Sequence, residues 1–67
     1  MNDNQLFVKS RHSQAFIVFH QEHRKHKVYQ DRVSYIALSA SFDSASEAWA
    51  DAARLIMEKE NRNELSG

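Results

Sequence analysis

The sequence predicts an α+β fold: a small three-stranded antiparallel sheet packed by one C-terminal α-helix, in the order β-β-β-α. Residues 42–49, Phe-Asp-Ser-Ala-Ser-Glu-Ala-Trp, read as extended chain turning into a capped helix, because Ser44 and Glu47 stand at capping-box spacing. Residues 15–19 and 33–38 are rich in β-branched and aromatic side chains, which suit a pleated surface. With 67 residues the chain is expected to be a single domain, 1–67, and one helix over one sheet uses both patterns.

The first strand is expected at residues 6–9, where Leu6 and Val8 alternate with Phe7, and the second at 15–21. The one glycine is the last residue and there is no proline. Chain reversals must therefore use type I geometry, or Asn, Asp, Ser and His at strained positions. The polar clusters 10–14 and 22–27 are the natural turns. A third strand falls within 28–40, most securely at 34–38 (Ser-Tyr-Ile-Ala-Leu). Val28, Tyr29, Arg32, Val33 and Ile36 also fit helical spacing, so a helix over 22–37 competes with it. The β-branched content of 33–38 favours strand.

The helix is expected over about 45–59. Ala45, Ala48, Trp49, Ala52, Leu55 and Ile56 share one face, and Glu47, Asp51, Arg54 and Glu58 form the opposite stripe. Alanines at 45, 48, 52 and 53 permit close approach to the sheet, and Trp49 supplies bulk. The ordered core should run from about residue 5 to 60, with the polar 61–67 stretch fraying.

A chain this short buries only about 60% of the surface its unfolded form exposes, so its stability is marginal. It has no cysteine, hence no disulfide and no thiolate metal site. The longest apolar run, residues 15–19, is far below the roughly 20 residues of a membrane-spanning helix. The opening Met-Asn-Asp-Asn-Gln does not resemble a secretory signal, and a cytoplasmic location is expected. Formal charge is zero but unevenly placed. Between Lys9 and Arg32 six Lys or Arg face only Glu22 and Asp31, while 43–64 carries six acids and three bases. All four histidines lie in the basic stretch.

The expected strands carry apolar residues on both sides: Ala15, Ile17 and Phe19 against Phe16 and Val18, and Ile36 and Leu38 against Val33 and Tyr35. One helix covers one face, and an antiparallel sheet with a wet outer face should alternate cleanly. The surplus points to a second face covered by another protein or a second copy, carried by Phe7, Phe16, Val18, Val33 and Tyr35. The chain then reads as a small non-enzymatic interaction module, a regulator or inhibitor of a larger macromolecule. Short cysteine-free chains of this kind occur among phage and mobile-element accessory proteins.

The alternative is a nucleic-acid-binding domain. Residues 20–27, His-Gln-Glu-His-Arg-Lys-His-Lys, form a dense polar tip, and Lys9, Arg11, Arg24, Lys25 and Lys27 can pair with phosphates. Phe16, Tyr29 and Tyr35 can stack bases on the sheet. Metal is a weaker idea: His20, His23 and His26 are legitimate zinc ligands, and His20 and His26 can face each other across a turn. No recognised metal motif links them, and no metal or other cofactor is expected. Nor is there a cysteine nucleophile, a glycine-rich phosphate loop or a nucleophile elbow, so neither an enzyme nor a small-molecule substrate is expected.

The run Phe42-Asp43-Ser44-x-x-Glu47-Ala48-Trp49-x-x-Ala52, following a sheet, resembles the strand-to-helix junction of small three-strand-plus-helix DNA-binding domains. Plant AP2 domains and the arm-binding domains of tyrosine-type integrases share it, and the resemblance implies a basic sheet entering the major groove. Those domains use glycines and several arginines along the sheet. This chain has no internal glycine and an apolar second strand, so no membership is assigned.

Overall fold

The computed structural model describes residues 3–66, with side-chain surroundings for 3–62. Its order is α1 (Asp3–Arg11), β1 (Phe16–His20), β2 (Lys25–Tyr29) and α2 (Ala45–Ser66). The fold is α+β, but the sheet has two strands rather than three, and a second helix opens the chain.

Residues 6–9, expected as a strand, lie inside α1. Leu-Phe-Val favours strand only weakly, and packing decides between the two states. As a helix the segment turns Val8 fully inward and brings Phe7 against the same core. It also sets Arg11 over the Phe7 ring four residues back, 4.6 Å from its centroid. At the end of α1 the Ser10 hydroxyl donates to the Phe7 carbonyl (2.6 Å) and the His12 N–H to that of Val8 (2.8 Å). The Ala15 N–H then donates to the His12 carbonyl (2.9 Å) and turns the chain into β1.

β1 and β2 pair antiparallel in the register Phe16↔Tyr29, Ile17↔Val28, Val18↔Lys27, Phe19↔His26 and His20↔Lys25. Half of the expected turn, Lys25 to Lys27, is therefore strand. The reversal is residues 21–24, built on a bond from the His23 N–H to the His20 carbonyl and closed by Arg24 at φ 53°. No part of 22–37 is α-helical.

The expected third strand is irregular chain. Residues 36–42 run along the free side of β2 but bridge it only at Tyr29↔Ala37 and His26↔Phe42. Two residues of β2 lie between those bridges and four of the connecting segment, so the ladder cannot continue. Between them the Ser39 hydroxyl, itself donating to the Ala40 carbonyl (2.8 Å), accepts the Val28 N–H at 2.9 Å.

α2 is the hub, since α1 and the hairpin both pack on it. Ser44 caps it, its hydroxyl accepting the Glu47 N–H at 3.2 Å. The core is Val8, Ala15, Val28, Ala48, Trp49, Ala52 and Ala53, flanked by Phe7, Ile17, Leu38, Phe42 and Ile56. Serving two neighbours widens the buried arc of α2: Ala53 joins it, and Leu55, expected inside, sits at the margin. The helix continues past Lys59 to Ser66, and Gly67 lies outside the described residues. An ion pair from Arg11 to Glu60 (2.7 Å) ties the end of α1 to it. No described helix is long and apolar enough to cross a membrane.

Candidate interaction surface

Strand alternation gives the hairpin two faces. Ile17 and Val28 point into the core, so Phe16, Val18 and His20 with Lys25, Lys27 and Tyr29 form the outer face. On it Phe16 stacks with its cross-strand partner Tyr29, ring centroids 5.9 Å apart.

A third ring comes from the β2–α2 connection. Both oxygens of Asp31 organise residues 31–34: Oδ1 accepts the N–H groups of Val33 (2.9 Å) and Ser34 (2.6 Å), and Oδ2 accepts the Ser34 hydroxyl (2.9 Å). The Tyr35 N–H closes on the Asp31 carbonyl at 3.2 Å. Tyr35 itself stands at φ 55°, in the left-handed region that costs a residue with a Cβ roughly 1–2 kcal/mol. That conformation carries its ring to 4.8 Å from Tyr29 and, edge-on, 5.6 Å from Phe16. Tyr29 is covered to 8% exposure while Tyr35 keeps 52%.

Cations surround the rings. The Arg32 guanidinium lies 4.2 Å from the centre of Phe16, and the Lys27 ammonium 5.9 Å from that of Tyr29. His20 Nε2 and the Tyr29 hydroxyl share a hydrogen bond at 2.8 Å. Lys25 reaches away to Asp43 at 2.5 Å, and this bond and charge hold the Asp43 carboxyl below the usual range. Hydrogen bonds from the Ser34 backbone and hydroxyl lower Asp31 against its desolvation, with smaller help from Val33 and Gln30. The Asp31 carboxylate is thus occupied by its own turn.

The second face is therefore not left for an outside partner to cover entirely: the 31–35 turn folds over part of it. Of the five residues expected there, Phe16, Val18 and Tyr35 belong to it. Phe7 does not, because it sits on α1 and packs against the core. Val33 does not either, standing 97% exposed at the tip of the turn. The expected phosphate-binding set is likewise divided. Lys9 and Arg11 lie on α1, and Arg11 is engaged by Glu60 and Phe7. Arg24, Lys25 and Lys27 share the hairpin. Arg32, absent from both expected sets, is the cation closest to the rings. The Asp31-x-x-Ser34 spacing was the signal for it: read as an Asx turn, it returns residues 32 and 35 to the sheet.

His20 and His26 do not face each other. Their partners are Lys25 and Phe19, on opposite faces, and the His26 ring lies against Phe19 (4.8 Å). Among the described residues no group of three or more His, Cys, Asp or Glu could hold a metal ion. Asp51, expected on a solvated stripe, is instead a clamp: one oxygen accepts the Ala40 N–H (3.0 Å) and the other Arg54 (2.6 Å). Burial alone raises its carboxyl, and the bonds from Ala40 and Arg54 outweigh it, leaving the group lowered.

No protein-family model, curated protein or solved structure matches this chain.

Proposed function

We propose that this protein is a small non-enzymatic interaction module that binds another protein through the outer face of its hairpin. Phe16, Val18 and Tyr35 are the contact residues, with Lys27 and Arg32 beside them. One observation carries the reading. Tyr35 holds a strained backbone at a position where glycine is free of cost, and the strain presents a half-exposed ring beside an arginine and two more rings. Strain kept in an otherwise ordinary turn points to use of the side chain. Tyrosine and arginine at the centre of a patch are also the residues that dominate protein interfaces.

The same rings and cations favour a second reading, a single-stranded nucleic acid stacked on Phe16, Tyr29 and Tyr35 with phosphates on Lys27 and Arg32. An NMR titration of labelled protein with a short single strand and a short duplex, at low and physiological salt, separates the two. The protein reading expects no outer-face shifts at physiological salt. It also expects partner binding that survives high salt and is lost on Val18→Asp. Shifts of Phe16, Tyr29 and Tyr35 that persist at physiological salt and vanish on Arg32→Ala overturn it in favour of the strand.

A further inference from the structure

The edge of β1 is a separate surface, and it does not depend on the outer-face reading. The bonds of β2 on its other side fix which way each backbone group points. The N–H of Leu38 goes to the Val28 carbonyl (2.8 Å), while the His26 N–H donates to the Phe42 carbonyl (2.7 Å) and the Phe42 N–H to that of His26 (2.9 Å). Residues 26 and 28 thus turn their backbone groups away from β1, and Lys25, Lys27 and Tyr29 turn theirs toward it. Because bonded and non-bonded pairs alternate in an antiparallel ladder, Phe16, Val18 and His20 are the bonded residues of β1. The N–H and C=O groups of Ile17 and Phe19 therefore point outward, where no described strand pairs with them.

We infer that this edge pairs with the same edge of a second copy, antiparallel about a two-fold axis through Val18, making one four-stranded sheet from two chains. In that register Ile17 of each copy lies opposite Phe19 of the other, and all four outward groups of each strand find partners. The neighbouring registers do worse. Moving the axis to Ile17 calls on the Ala15 N–H, already given to the His12 carbonyl, and moving it to Phe19 calls on Gln21, which is in the turn. Natural edge strands are blunted by lysine, proline, inward charges or bulges. Phe16-Ile-Val-Phe-His has none of these, and the two lysines of the hairpin sit on β2 instead.

The side chains agree with this occupant. Phe19, 48% exposed although it belongs to the inner face, comes against Ile17 of the other copy. The two Val18 side chains meet on the outer face, in the close spacing of a non-bonded pair. Charge is complementary along the edge: Glu22, which makes no ion pair among the described residues, follows one end of β1, and the Arg32 guanidinium lies over Phe16 at the other. Antiparallel pairing brings each Glu22 toward the other copy's Arg32.

Sedimentation equilibrium with residue-resolved amide exchange tests the pairing on the intact chain. The expected result is twice the chain mass at high concentration, with the Ile17 and Phe19 amides protected there and exchanging at least tenfold faster on dilution. Phe16 and Val18 amides, bonded within the hairpin, stay protected at both concentrations. Phe19→Lys should give a folded monomer by circular dichroism, and wild-type exchange decides the matter if that variant does not fold. A monomer at millimolar concentration overturns the inference. So does a dimer whose Ile17 and Phe19 amides exchange freely; if Tyr35→Ala then dissolves that dimer, the outer-face reading stands and the edge pairing falls.

Discussion

Ser39→Ala tests whether the connection between β2 and α2 is held by the bond that interrupts the third strand. Val28 is fully buried, and its N–H has the Ser39 hydroxyl as acceptor at 2.9 Å, where a strand would have offered a carbonyl. Removing that oxygen leaves a buried donor without a partner, a cost of about 1–3 kcal/mol. The hydroxyl's own bond to the Ala40 carbonyl is lost as well, but Ala40 is exposed and water can replace it. A loss of about 2 kcal/mol is therefore expected, from a total on the order of 3–10 kcal/mol for a chain of this length. The melting temperature should fall by roughly 8–16 °C. Thermal unfolding followed by circular dichroism measures it, with exposed Ser41→Ala as the control expected to stay within about 0.5 kcal/mol of wild type. Equal melting temperatures for the two variants, or a Val28 amide as protected in Ser39→Ala as in wild type, would mean that the Ser39 hydroxyl does not hold this connection.

Trp49→Ala removes the largest side chain of the core and should cost about 3–5 kcal/mol, enough to leave much of the population unfolded in a urea titration. Asp31, Asp43 and Asp51 all sit below the ordinary carboxylate value of 3.8 in the folded chain. Their stabilisation is therefore complete above about pH 4 and is lost as pH falls through their lowered values, so urea midpoints should hold from pH 7 to 5 and drop below 4. Asp51→Asn should flatten that acid limb. Breaking the exposed Arg11–Glu60 pair with Arg11→Ala should cost under about 1 kcal/mol from the ion pair itself, and 0.5 M salt should shrink the difference from wild type. Tyr35→Gly should relieve roughly 1 kcal/mol of backbone strain while removing the ring, so its stability should exceed that of Tyr35→Ala, which keeps the strain and loses the contacts.

The parts legible in the sequence are those whose signals are local. The Ser44 cap, the alanine face of α2 and the apolar run of β1 each lie within a few residues, and each forms where its pattern places it. α1 was not legible, because residues 6–9 carry strand-like side chains and become helical only by gaining a core that includes Val8 and α2. The third strand failed for a different reason. Ala37 and Phe42 do bridge β2, but a serine hydroxyl takes the place of the ladder between them, and no periodicity encodes that substitution. Without its third strand the sheet no longer matches the three-strand-plus-helix DNA-binding domains whose junction residues 42–52 resemble. The outer face was half legible. Alternation identified Phe16 and Val18, but placing Arg32 on the rings required the Asp31 turn and a tyrosine at positive φ.

These two departures are unlike in kind, and the difference bears on where function lies. α1 obeys an ordinary rule, tertiary packing overriding a weak preference, and its residues end in favourable helical geometry. The 30–44 connection breaks local rules without being compelled to. A tyrosine occupies a left-handed position, and a polar hydroxyl stands in for a strand carbonyl. Aspartates at 31 and 51 are spent on holding backbone N–H groups. Sequences that fold well agree with themselves at every level, and they depart from that agreement mainly where a site requires it. What this connection accomplishes is to lay Tyr35 and Arg32 on Phe16 and Tyr29 while leaving the Tyr35 ring half open to solvent. A connection that served stability alone could carry glycine at residue 35 and leave the hairpin face to Phe16 and Tyr29. The cost of the tyrosine is thus the best physical reason to look for a partner on that face, and the unguarded β1 edge beside it is where a second copy would extend the same surface.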